Sequence, residues 1–381
     1  MKKIFISLLL ITTIGVSAQK ETYKIADGVI THQDLFNASM VEGVSCFRIP
    51  AIVTAPNGDL IAAIDERVPN CGDLNRSGDI NIVVRRSADN GKTWSGIETV
   101  VNFPLGLSAS DPSMIVDRDT KEIILFYNYM DYEKERDIYY LHVVKSKDNG
   151  KTWSKPEDIT KQIAKPEWHK DFKFITSGRG IQTRDGRLLH TLVNLSKGLF
   201  IFGSDDHGKT WYFIDTPIKP ADESKIIELA DGTWMVNARV NGGKMRYVHT
   251  STDEGKSWTS KPEPALMDPS CNGSIIRYTA KADGYNKDRI IFSNAKMEKG
   301  RMNLNVRISY DEGKTWSEGK TIYSGPSAYS SLTVLKNGDL AVFFEKDEYT
   351  KNEFVSFSLK WLTDGKDKFK KPCKKRKSTK K

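Results

Sequence analysis

The chain is poor in the residues that build metal, redox and nucleic-acid sites. Its 381 residues contain four cysteines and six histidines. No two of the cysteines Cys46, Cys71, Cys271 and Cys373 form a C-x-x-C pair, so zinc-ribbon or thioredoxin-like chemistry has no support. His169, His190, His207 and His249 are scattered without metal-ligand spacing and read as surface or packing residues, with no metal or cofactor expected. A net excess of charge is also missing from the body. The formal +9 resides in residues 366–381, which carry ten Lys or Arg and one Asp, so residues 1–365 sum to zero. This argues against nucleic acid as a partner. The basic stretch reads as a solvated, disordered tail that could touch an anionic surface. Apolar runs long enough to span a bilayer are lacking too. The one apolar run, Ile4–Val16, follows Lys2 and Lys3 and ends in Val-Ser-Ala. It reads as a secretory signal peptide over residues 1–18, of bacterial type, and implies export to the periplasm, cell surface or medium. Export permits disulfides, and Cys46–Cys71 is one pairing that four cysteines allow.

Helical periodicity is scarce. The chain instead offers short segments rich in β-branched and aromatic residues, such as INIVVRRS, EIILFYNYM, TWMVNARV and LAVFFEK. Turn signals lie between them, including Asn57-Gly58, Asp185-Gly186, Asp231-Gly232 and Asn337-Gly338. Five octapeptides punctuate this pattern: SADNGKTW from Ser87, SKDNGKTW from Ser146, SDDHGKTW from Ser204, STDEGKSW from Ser251 and SYDEGKTW from Ser309. They start 59, 58, 47 and 58 residues apart, the signature of a repeat architecture. The copy at Ser204, with Gly203 before it, also matches the phosphate-loop pattern G-x-x-x-x-G-K-[ST]. The match is accidental. Asp205 and Asp206 lie where phosphates would sit, and strand-like segments flank the loop where a helix should follow. Each octapeptide reads as a hairpin turn: Asp accepts backbone N–H groups, Gly adopts a left-handed conformation, and Trp packs between sheets. Residues 19–365 at this period predict an all-β, six-bladed propeller of four-stranded antiparallel blades. Strands from both chain ends close the sixth blade.

Cys46 is followed by Phe47-Arg48-Ile49-Pro50. FRIP upstream of five S-x-D-x-G-x-[ST]-W boxes resembles the bacterial exo-α-sialidases, glycoside hydrolases whose fold is a six-bladed propeller. The resemblance covers nearly the whole mature chain. It implies that Arg48, Arg239 and Arg301 form a triad holding the carboxylate of sialic acid. Arg307 lies close to Arg301 but falls inside a strand. Tyr329, in SAYSSL, matches the nucleophile, and Glu223 the carboxylate that activates it. Glu228 is nearby, but the spacing to Arg239 favours Glu223. Asp73 matches the acid/base in a loop that also holds Asp79. Glu345 matches the carboxylate bracing Arg48, while Arg67 and Asp111 match contacts to the sugar's C4 hydroxyl.

The chemistry suits these residue types. Planar guanidinium groups bind carboxylates in bidentate fashion, and three can converge on one anion. A neutral Tyr avoids the repulsion that a carboxylate nucleophile would meet from the acidic sugar, and sialidases depart from the two-carboxylate rule in this way. The expected activity is hydrolysis of terminal α-linked sialic acids on glycoproteins, glycolipids or oligosaccharides, with retained configuration. A trans-sialidase or intramolecular trans-sialidase would use the same residues. A non-catalytic propeller that only binds would have no need of Tyr329, Glu223 and Asp73 beside three arginines.

Overall fold

The computed structural model describes residues 23–372, so the expected signal segment, Cys373 and the end of the basic tail lie outside the described residues. The fold is all-β, with a propeller-like arrangement of five sheets. The first contains Cys46–Thr54, Leu60–Arg67, Ile80–Ser87 and Glu98–Val101. The second contains Leu107–Val116, Ile123–Asp131, Tyr140–Ser146 and Glu157–Asp158. Gly178–Arg179 adds to it in parallel, beside Ser113 and Met114. The third is built on Leu188–Asn194, Gly198–Ser204 and Tyr212–Ile218, with Lys173–Ile175 and Ile181–Gln182 both paired to Leu188–Asn194. The fourth is Ser224–Glu228, Trp234–Ala238, Met245–Ser251 and Thr259–Met267.

The last sheet has seven strands, because the 15-residue strand Lys320–Val334 serves two groups. Its first part pairs with Met302–Ser309, and its second part pairs with Leu340–Lys346. Thr31–Asn37 then joins antiparallel to Lys351–Phe357, so strands from both ends of the chain share one sheet edge.

Uniform four-stranded sheets were expected, and two of the five have that form. The additions to the second and third are two- and three-residue segments. Such segments are too short to show an alternating pattern. A second correction concerns the tail expected from residue 366. Asp367 forms ion pairs with Arg289, and Phe369 packs on Tyr278 and Tyr285, so the packed body extends past that boundary.

Apolar clusters fill the spaces between successive sheets. Ala51, Val53 and Ile82 meet Met114, Leu125 and Tyr127; Phe126 and Leu141 meet Leu188 and Phe202; Leu189 and Ile201 meet Ile226 and Val236. The series closes where Phe343 and Phe354 meet Ile52 and Val83 of the first sheet. Alternate residues of each strand therefore face opposite neighbours, and both faces are buried. The first strands of the sheets are tied across a common centre. Ile52 N donates to Ser331 Oγ (3.1 Å), Leu332 N to Ser274 Oγ (3.0 Å) and Thr176 Oγ1 to the Ser224 carbonyl (3.1 Å).

The five octapeptides form one turn repeated. In the copy at Ser87, Ser87 Oγ donates to Asp89 Oδ1 (2.8 Å) and accepts Gly91 N (2.9 Å). Asp89 accepts Thr93 N (2.9 Å) and Thr93 Oγ1 (2.7 Å). The same bonds recur around Asp148, Asp206, Asp253 and Asp311. The glycine has φ between 75° and 84° in all five, which a side chain would oppose. The phosphate-loop look-alike links two strands, Gly198–Ser204 and Tyr212–Ile218, and opens no helix.

Candidate active site

Backbone irregularities at three of the central strands aim side chains into a cavity of about 350 Å³. The pairing of Cys46–Thr54 shifts between Arg48 and Ala51, where Ile49 adopts φ of 66°. The pairing of Leu107–Val116 shifts between Ser110 and Ser113, where Asp111 adopts φ of 64°. A third shift spans Ser327 to Ser330, around Tyr329. Bulges of this kind re-aim side chains, and positive φ at a β-branched residue is strained. Arg48, Asp111 and Tyr329 all line the cavity, with Arg67, Asp73, Glu223, Arg239 and Arg301.

Glu345 lies behind that surface and is 1% exposed. Its Oε1 accepts Arg48 Nε (2.7 Å) and Ile49 N (3.0 Å), and its Oε2 accepts Tyr329 N (3.1 Å). One buried carboxylate thus fixes both the first arginine and the backbone of Tyr329. The Arg48 guanidinium also stacks 3.9 Å from the Tyr349 ring centre, and Tyr349 Oη accepts Arg301 Nη1 (3.2 Å). Burial opposes the charge on Arg48, but Glu345 more than offsets it and raises the pKa.

Tyr329 Oη donates to Glu223 Oε2 (2.7 Å) and accepts Arg239 Nη1 (3.1 Å). Arg239 Nη1 also pairs with Glu223, and Arg301 sits 5.3 Å from the Tyr329 ring centre. Burial, reinforced by the Glu223 charge, pushes the Tyr329 phenol well above its usual pKa despite Arg239 and Arg301. Burial also raises Glu223, against the pull of Arg239. The phenol therefore holds its proton, with a carboxylate in place to take it.

Arg67 is 1% exposed and clamps the Asp73 loop. Its Nη1 donates to Asp73 Oδ1 (2.9 Å) and to the carbonyls of Cys71 and Gly72 (both 3.0 Å). A Cys46–Cys71 disulfide anchors the same loop, resolving the open pairing, and Cys271 is free and buried. Partial burial would raise the Asp73 carboxyl, but Arg67, Arg48 and Arg76 hold it below its usual pKa. Asp111 differs: burial and the neighbouring Asp65 charge raise it well above the usual carboxylate range. The close alternatives are placed elsewhere. Arg307 is buried on Ala265 O and Phe292, and Glu228 pairs with Arg184. Asp79 is not among the lining residues.

Several neighbours were not singled out in the sequence. Asp65 holds Arg67 (2.9 Å), Ser110 Oγ (2.6 Å) and Asp111 N (2.9 Å). Asp222 accepts Arg239 Nη2 (3.2 Å), and Asn241 accepts the same guanidinium (2.9 Å). Leu74, Tyr139, Phe172, Phe174 and Leu195 give the cavity an apolar wall. The signal for Asp65 was available: it lies two residues before Arg67, on the same face of a strand that begins with five apolar residues. No sequence pattern marks Tyr349 or the apolar wall. Away from the cavity, Asp117, Asp119 and His207 group potential metal-ligand atoms within 4.8 Å. There His207 is bound to Asp117 (2.8 Å), and Gln182 binds both aspartates (2.8 and 3.1 Å).

Three arginines, a phenol bonded to a carboxylate and a separate aspartate thus line one cavity of a propeller-like ring. Residues 58–342 match the family model described as a BNR repeat-like domain. A sialidase of Micromonospora viridifaciens is 34% identical over 361 residues, covering 87% of this chain and 54% of that protein. A sialidase of Bacteroides fragilis is 31% identical, covering 79% of this chain and 60% of its own length. The solved Hadza microbial sialidase Hz136 superposes with a TM-score of 0.75 at 29% identity, over 84% of this chain and 67% of that one. The chain belongs to the sialidase family of BNR-repeat proteins. It spans little more than half the length of these two curated relatives.

Proposed function

We propose that the protein is an exported exo-α-sialidase on a six-bladed propeller, releasing terminal α-linked sialic acid from glycoproteins, glycolipids or oligosaccharides. One observation carries this reading: the Tyr329 phenol is bonded to Glu223 inside a cavity that Arg48, Arg239 and Arg301 also line. In this mechanism the three guanidiniums bind the substrate carboxylate. Glu223 takes the phenolic proton as Tyr329 Oη attacks the anomeric carbon, and Asp73 protonates the departing glycosidic oxygen. Asp73 then removes a proton from water, whose oxygen displaces Tyr329 Oη from the anomeric carbon, and Glu223 returns its proton to the phenolate. Two inversions give net retention. Arg67 and Asp111 contact the sugar's hydroxyl edge, and the apolar wall takes its less polar substituents. No cofactor enters any step. Export is supported by the signal-like first 18 residues and by the Cys46–Cys71 disulfide, which persists in oxidising compartments. Among the described residues, no helix is long and apolar enough to cross a membrane.

The test is Tyr329→Phe assayed on an aryl sialoside. Removing the attacking oxygen should lower kcat by at least ~100-fold while the thermal unfolding transition is kept. Unchanged turnover would remove Tyr329 from the mechanism.

A further inference from the structure

A second cavity, of about 340 Å³, opens at the opposite end of the ring centre. It is lined by the far ends of the strands whose near ends carry the candidates above. Thr54 follows Arg48 by six residues, Val116 follows Asp111 by five, and Glu228 follows Glu223 by five. At about 3.3 Å per residue, roughly 15–20 Å separates the two sites.

The second cavity is cationic. Arg118, Arg179, Arg184 and Arg277 line it, against Glu228 and Asp283. Arg184 is paired with Glu228 (3.3 Å), and Arg277 is matched by Glu312. Among the described residues, the Arg118 side chain bonds only the carbonyls of Gln182 and Thr183. Arg179 is more weakly compensated still. Its Nη1 donates to Leu332 O (3.1 Å), its Nε is buried without a partner, and it makes no ion pair with any described carboxylate. Burial alone pushes its pKa down to about 10, because no neighbouring charge opposes the desolvation.

This guanidinium is firmly seated. It lies between Gly178, with φ of 101°, and Gly180. A Cβ on Gly180 would come within 2.5 Å of the Leu189 carbonyl, and one on Gly178 within 2.8 Å of Lys225 Cε. Only a backbone without side chains at these two positions threads the gap between the second and third sheets and delivers Arg179 to the centre. A half-buried guanidinium whose Nε has no partner, with the exposed Arg118 lining the same mouth and making no ion pair with any described carboxylate, is an arrangement that binds planar or tetrahedral oxyanions.

We propose that this mouth of the ring is a second ligand site, which takes a small oxyanion, the carboxylate or phosphate group of a solute, on Arg179 with Arg118 beside it. It is independent of the reading given for the first cavity. The full chain is titrated with inorganic phosphate and, separately, with acetate, by calorimetry at low ionic strength. The wild type should bind at least one saturably, and which one identifies the oxyanion. Arg179→Gln should weaken that binding at least tenfold and Arg118→Gln at least threefold, with turnover on an aryl sialoside within twofold of wild type for both. Undiminished affinity in Arg179→Gln, or saturable binding of neither probe by the wild type, would overturn the proposal. Should Arg179→Gln fail to fold, Arg118→Gln carries the test, and unchanged affinity there has the same adverse meaning.

Discussion

At the scale of the residue, the environment of Asp73 decides how the proposed reaction responds to pH. Arg67 bonds its carboxylate at 2.9 Å and, with Arg48 and Arg76, holds the pKa below the ordinary value. A proton donor must be protonated, and a depressed pKa makes that form scarce at neutrality. Cleavage that needs the proton should therefore quicken as pH falls into the acid range. We expect the ratio of kcat/KM for a poor leaving group to that for an activated aryl group to rise steadily between pH 7 and pH 5, and Asp73→Ala to abolish the trend. A ratio independent of pH in the wild type would argue that Asp73 is not the donor.

The candidates at this cavity were legible because FRIP and the fifth box give fixed reference points for counting. Their partners were not. Tyr349 comes into reach through a turn in which Asp347, Glu348 and Tyr349 all have positive φ, a conformation that nothing in KDEYT announces.

At the scale of the element, the recurring unit is the Asp-box turn. Hydrogen bonds from Thr93, Thr152 and Ser257 pull Asp89, Asp148 and Asp253 down to a pKa of about 2. At Asp206 burial works the other way, but the bonds from Thr210 and Ser204 prevail and reach the same value. A carboxylate depressed in the folded state contributes its full stability above its unfolded pKa, near 4, and loses it as pH falls toward the folded value. Thermal stability should thus decline between about pH 4 and pH 2. At pH 7, Asp206→Asn should cost about 1–2 kcal/mol through lost charge-assisted bonds. Below about pH 2, where the folded carboxylate is itself protonated, the two proteins should converge. A variant whose deficit is equal at both pH values would show that the ionised carboxylate is not what stabilises the turn.

These turns were readable from five copies of one octapeptide. The added strands Gly178–Arg179 and Ile181–Gln182 were not, because tertiary packing at the ring centre, rather than local pattern, makes them pair.

At the scale of the whole molecule, closure of the ring brings together residues that are far apart in the chain. Arg48 and Glu345 are 297 positions apart and share a 2.7 Å bond. Pairing of Thr31–Asn37 with Lys351–Phe357 secures that juncture, and the cluster of Phe36, Phe47, Phe343 and Phe354 fills the space beside it. The repeat period over residues 19–365 made such closure an expectation of the sequence, with strands from both chain ends in the last unit. The short gap of 47 residues falls at the fourth copy, where the strands of the fourth sheet follow without added segments.

In the proposed reaction a phenol, held between a carboxylate and the arginine trio, attacks the sugar so that configuration is retained overall. Proton NMR of the wild-type protein acting on an α-sialoside tests it most directly. Free sialic acid should appear first as the α-anomer and then relax to the β form; an anhydro sugar or a new sialoside in its place would identify transfer rather than hydrolysis. Appearance of the β-anomer first, or no released sugar at all, would contradict it.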